Sequence, residues 1–95
     1  MAEASSTPEV KVVLPRPLLA LFPEAAAEVK VSAASVDGMI AALDSLWPGM
    51  RARLCDETPR IRQHLSIFSN GQRARLDTPL TEGATIYVLT AMSGG

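Results

Sequence analysis

The hydrophobic repeat changes period twice along this chain, and that change limits the folds open to it more than any other feature. Glu28-Val29-Lys30-Val31-Ser32 alternates polar and apolar residues, the period-two signature of a strand with one buried face. From Val36 the apolar residues fall instead at Met39, Ile40, Leu43, Leu46 and Trp47, one stripe of a helix. Beyond Gln63 the strand period returns, in Leu65-Ser66-Ile67-Phe68-Ser69 and again in Thr85-Ile86-Tyr87-Val88-Leu89-Thr90.

The punctuation between these runs fixes their ends. Val10-Lys11-Val12-Val13-Leu14 forms a first strand closed by Pro15 and Pro17, which cannot extend a hydrogen-bonded ladder. Leu18 to Ala27 forms a loop or a helical turn, with Pro23 excluding a long helix. Ser35 is placed to cap the main helix, Asp37 suits its positive N-terminal end, and Pro48-Gly49 stops it. Met50 to Gln63 is charged and irregular, a short helical turn plus loop. Asn70-Gly71 tolerates two positive φ angles and predicts a tight hairpin, with Arg73-Ala74-Arg75-Leu76 as the returning strand. The order strand, strand, helix, hairpin, strand is that of an α+β, β-grasp domain: a mixed four- to five-stranded sheet with one main helix across one face. The expected organisation is a disordered tail over 1–9, a β-grasp domain over 10–90 and a flexible tail over 91–95.

At 95 residues such a domain has little room for a buried multi-residue catalytic site, which favours a carrier or binding module. A net charge of -1 argues against general adhesion to nucleic acid or membrane, since both need a cationic excess. No apolar run is long enough to span a bilayer, and the first residues lack the pattern of a secretory signal. The single cysteine, Cys55, excludes an internal disulfide framework and suits reducing cytoplasm. Cys55 and His64 lie nine positions apart across a loop and define no nucleophile and base; the plainer reading is a small partly buried cysteine and a surface histidine near a strand start. No metal-ligand spacing and no phosphate-binding glycine loop is present, so no cofactor is expected on this chain.

Chemistry is left to the terminal Gly94-Gly95. Two glycines thread a channel too narrow for side chains. After the last strand, five extended residues carry the Gly95 carboxylate roughly 16 Å beyond the sheet. The plainer alternative is an inert end that happens to be glycine. If Ile86 and Val88 point inward, Tyr87 and Leu89 face outward near that tail and suit a partner contact, with Met92 in the spacer beyond. Arg73 and Arg75, sharing a strand face, suit acidic groups on the same partner; solvated surface is the plainer reading.

Three segments together resemble the MoaD/ThiS family of ubiquitin-like sulfur carriers: Leu46-Trp47-Pro48-Gly49-Met50-Arg51-Ala52-Arg53-Leu54, Ile67-Phe68-Ser69-Asn70-Gly71, and Leu80-Thr81-Glu82-Gly83 through Ser93-Gly94-Gly95. Ala84 and Ser69 depart from the pattern, and the long Cys55 to Gln63 segment looks more like carriers that serve cysteine synthesis. The resemblance implies a protein co-substrate rather than an enzyme. An adenylating, ubiquitin-activating-type partner, using ATP and magnesium, would charge the Gly95 carboxylate. A sulfur donor would convert it to a thiocarboxylate, and Gly94 would let the tail enter a sulfur-accepting biosynthetic enzyme. The chain alone is expected to be monomeric and cytoplasmic. Two alternatives stay open: a ubiquitin-like modifier joined to lysines through Gly95, and a non-catalytic interaction domain.

Overall fold

The computed structural model describes residues 7–57 and 61–90. Eight elements follow in chain order: β1 (Glu9–Val13), α1 (Arg16–Leu21), β2 (Glu28–Ser32), α2 (Val36–Leu46), α3 (Met50–Leu54), β3 (Leu65–Ser69), β4 (Gln72–Arg73) and β5 (Thr85–Thr90). Among the described residues the strands form one sheet in the order β2-β1-β5-β3-β4. The central pair, β1 and β5, runs parallel and every other neighbour pair antiparallel. This is the β-grasp arrangement expected from the sequence.

One face of the sheet is sealed. Val10 and Val12 of β1, Val31 of β2, Leu65 and Ile67 of β3, and Ile86 and Val88 of β5 are buried there with Val36, Met39, Ile40 and Leu43 of α2 and with Met50 and Leu54 of α3. Among the described residues no polar or charged side chain is buried, so cohesion comes from close-packed aliphatic surface. Helix α2 starts as expected, the Ser35 hydroxyl accepting from the Gly38 N–H at 3.1 Å.

The end of α2 differs from the periodicity. Leu46 and Trp47 continue the apolar stripe in sequence, yet Leu46 is 51% exposed and Trp47 only partly buried. Trp47 leaves helical geometry at φ -134°, ψ 91°, so the stripe ends where the helix does. Asp44 then organises the turn: its Oδ1 accepts from the N–H of Gly49 and of Arg51, both at 3.0 Å. Gly49 adopts φ 101°, a left-handed conformation that glycine takes without strain, and α3 follows at once.

Other expectations are refined at their edges. The stretch after β1 is a six-residue helix, α1, with a proline in its first turn. Strand β1 starts at Glu9, one residue early, because the Glu9 N–H donates to Glu82 Oε1 at 3.0 Å and the Pro8 carbonyl accepts from Ala33 N–H at 2.9 Å. The hairpin turns on Asn70 (φ 52°) and Gly71 (φ 83°) as their pairing predicts. Its return strand, however, is only Gln72–Arg73, so Arg75 lies outside β4.

Candidate docking face and tail

The face of the sheet away from α2 is left partly open, with Tyr87 and Leu89 of β5 half exposed on it. Register shows which residues share it, since directly paired residues point the same way. Val13 pairs with Glu28 on one side and with Tyr87 on the other. Tyr87 pairs with Phe68, and Phe68 with Arg73. A single row therefore crosses all five strands: Glu28, Val13, Tyr87, Phe68, Arg73. Its middle is apolar, and its two ends carry opposite charge.

Leu89 adds to the apolar middle beside Ser66, its partner on β3. Tyr87 and Leu89 are each 46% exposed, whereas Ile86 and Val88, which alternate with them, are fully buried, so the outward register read from the sequence is the one found. Half-exposed aromatic and aliphatic side chains on a flat sheet gain by being covered. Phe68 and Val13 were not singled out from the sequence, because strand pairing alone brings them beside Tyr87.

Charges frame the patch. Lys11 Nζ lies 3.8 Å from Glu28 Oε1, with both side chains substantially exposed. Arg73 has no hydrogen bond or ion pair to any described residue. Arg75 Nε stands 3.7 Å from Asp77 Oδ1, and that pair is almost wholly solvated. Arg73 and Arg75 do not share a strand. They are nonetheless both exposed on either side of buried Ala74, whose N–H donates to the Ile67 carbonyl at 2.7 Å and extends the strand-like course by one residue.

Elsewhere the surface offers little covalent chemistry. Cys55 is buried, and burial pushes its thiol above the ordinary value, with nearby Arg51 partly opposing. His64 is exposed at the approach to β3. Arg51 is held by Asp37, its Nη2 2.6 Å from Oδ1; that hydrogen bond raises the guanidinium pKa further. No group of three or more His, Cys, Asp or Glu side chains among the described residues is placed to hold a metal. No helix among them is long and apolar enough to cross a membrane. Met92, Gly94 and Gly95 lie outside the described residues; in sequence they follow directly on β5, whose exposed residues centre the patch.

No protein-family model matches the sequence, and no curated protein does. Solved structures do match. A chain of the BexX/CysO complex of Amycolatopsis orientalis aligns over 90% of this chain and 99% of its own, at 24% identity and a TM-score of 0.81. SAMP1 of Haloferax volcanii aligns over 92% and 99%, at 21% identity and a TM-score of 0.77. A putative molybdopterin converting factor, subunit 1, of Pyrococcus furiosus aligns over 90% and 99%, at 18% identity and a TM-score of 0.68. Nearly the full length of each is matched, and the fold of all three is the fold of this chain.

Proposed function

We propose that this protein is a sulfur carrier, a co-substrate whose Gly95 carboxylate is activated by a separate enzyme that docks on the open sheet face. The observation that carries the proposal is the arrangement of β5: the strand that presents Tyr87 and Leu89 outward is the strand that runs into Ala91-Met92-Ser93-Gly94-Gly95. A partner held on the face thus has the glycines within roughly 16 Å of the last strand residue. Binding the domain converts a dilute carboxylate into one at high local concentration. The likeness to CysO and to a molybdopterin converting factor subunit supports this reading.

The chemistry belongs to the partner's active site. In this reading the Gly95 carboxylate attacks the α-phosphate of magnesium-bound ATP; pyrophosphate leaves and an acyl-adenylate forms. A sulfide equivalent from a donor then attacks the acyl carbon, AMP departs, and the product is a thiocarboxylate. This chain supplies recognition, the carboxylate to be activated, and a backbone without side chains at Gly94 and Gly95. Delivery on a tethered arm keeps the sulfur from diffusing away before an acceptor enzyme takes it up.

A second reading, a modifier that acylates lysine amines through the same activated carboxylate, is favoured by one observation: SAMP1 of Haloferax volcanii, a small archaeal modifier protein, shares the fold. The two share activation and part at the nucleophile. Incubating the protein with an adenylating enzyme from the same cells, labelled pyrophosphate and ATP tests the shared step. Exchange of label into ATP should require Gly95 and vanish on its deletion. Undiminished exchange without Gly94 and Gly95 contradicts both readings and leaves an interaction domain with inert glycines.

A further inference from the structure

Beside the open face, at the β3 and β4 edge of the sheet, lies a cavity of about 660 Å³. It exists because β4 is only two residues long. After Ala74 the chain leaves β3, and the space alongside Leu65, Ser66 and Ile67 is bounded by Ile61, Arg62 and Gln63 on one side and by the segment from Arg73 to Asp77 on the other. Its volume falls in the roughly 300–1,000 Å³ range of clefts that enclose a ligand.

The lining is both apolar and strongly cationic. Ile61 and Leu76 pack against the core and present their remaining surface to the cavity. Three arginines, Arg62, Arg73 and Arg75, are among the residues that line it, against one acidic residue, Asp77. That carboxylate does little to neutralise them, since its 3.7 Å pairing with Arg75 is solvent-screened. Arg62 directs Nε to the Ala52 carbonyl at 2.9 Å, a neutral acceptor that fixes the side chain without cancelling its charge. The Arg73 side chain has no hydrogen-bond or ion-pair partner among the described residues.

The cavity is also continuous with the docking face. Arg73 stands opposite Phe68, Phe68 opposite Tyr87, and Ser66 opposite Leu89. We propose that this cavity receives an extended acidic segment of the partner protein, its carboxylates bridged by Arg73, Arg75 and Arg62 and an aliphatic side chain seated between Ile61 and Leu76. Charge selects the occupant: planar guanidinium forks match carboxylates two hydrogen bonds at a time, and a basic or neutral segment leaves three like charges facing it unpaired. The inference rests on the sheet face being the docking surface and adds to it a selective anchor at one edge.

The test uses full-length ¹⁵N-labelled protein and a blocked peptide of alternating glutamate and leucine as the probe. Amide shifts should concentrate in residues 61–67 and 73–77, weaken as salt rises, and be absent with the lysine and leucine counterpart. The double variant Arg73→Glu, Arg75→Glu should weaken binding by about tenfold or more, while Arg53→Glu, the same charge reversal at one exposed position of α3, leaves it unchanged. Three results overturn the inference: no shift in those two segments, equal shifts with the lysine peptide, or equal shifts with inorganic phosphate alone. Intact mass of the protein from its own cells reads the carrier function separately. A thiocarboxylate without peptide binding removes the anchor and keeps the carrier; peptide binding with no thiocarboxylate does the reverse.

Discussion

The two faces of the sheet are built from the same strands, often from adjacent residues, yet they obey different rules. On the α2 side Ile86 and Val88 are inaccessible and locked among aliphatic neighbours; on the other side Tyr87 and Leu89 are half exposed. One face holds the domain together, and the other is free to vary with what it binds. Period-two alternation writes both functions into a single six-residue strand. A carrier needs this division, because a docking surface that was also the core could not be uncovered between partners without unfolding.

Substitutions that cross the strand by one residue break or sharpen the contrast most directly. Ile67→Ala, on the sealed face, should cost about 2–5 kcal/mol of folding stability, through lost burial and the cavity left behind. Tyr87→Ser with Leu89→Ser should cost well under that, because both are already half in water. The same pair should lower kcat/KM for adenylation by about tenfold or more. Urea unfolding and pyrophosphate exchange, measured on both variants, check the division. If the Tyr87 and Leu89 variant unfolds as readily as the Ile67 variant, or charges normally, the faces are not separable in this way.

Smaller effects test the sealed side alone. Asp44→Ala removes the acceptor shared by the Gly49 and Arg51 N–H groups and should cost about 1 kcal/mol in urea unfolding, with no effect on adenylation. Asp44→Asn, which keeps an oxygen there, should recover much of it. Cys55 gives the mildest effect. Its folded-state thiol pKa is raised, so above the ordinary thiol pKa the unfolded chain loses its proton first, and stability should decline as pH rises through the window between the two values. Below that window the contribution is constant. Alkylation of Cys55 should accordingly be slow in the folded protein at neutral pH and fast in urea; rapid labelling of the native state contradicts the burial.

Much of this was legible in the residues. The Ser35 cap, the Asn70-Gly71 turn and the outward register of Tyr87 are local: each follows from the side chains and backbone freedom of a few neighbours. What the sequence hid was set by tertiary contact. The apolar stripe overran α2 because periodicity cannot tell where Trp47 leaves the helix. Arg75 was assigned to a strand because its alternation with Arg73 persists for one residue after the ladder has ended. The cavity beside β3 joins segments around Ile61 and Leu76, which no local pattern connects, and Val13 meets Tyr87 only through a parallel pairing across most of the chain.

The central claim is that Gly95 is charged with sulfur on another protein's active site. Intact-mass measurement of the protein purified from its own cells, before and after thiol-selective alkylation, tests it most directly. The account predicts a fraction in which one carboxyl oxygen is replaced by sulfur, with the alkylated mass mapping to Gly95. A terminus that carries only oxygen under sulfur-demanding growth, or that is recovered only in isopeptide linkage to lysines, contradicts it.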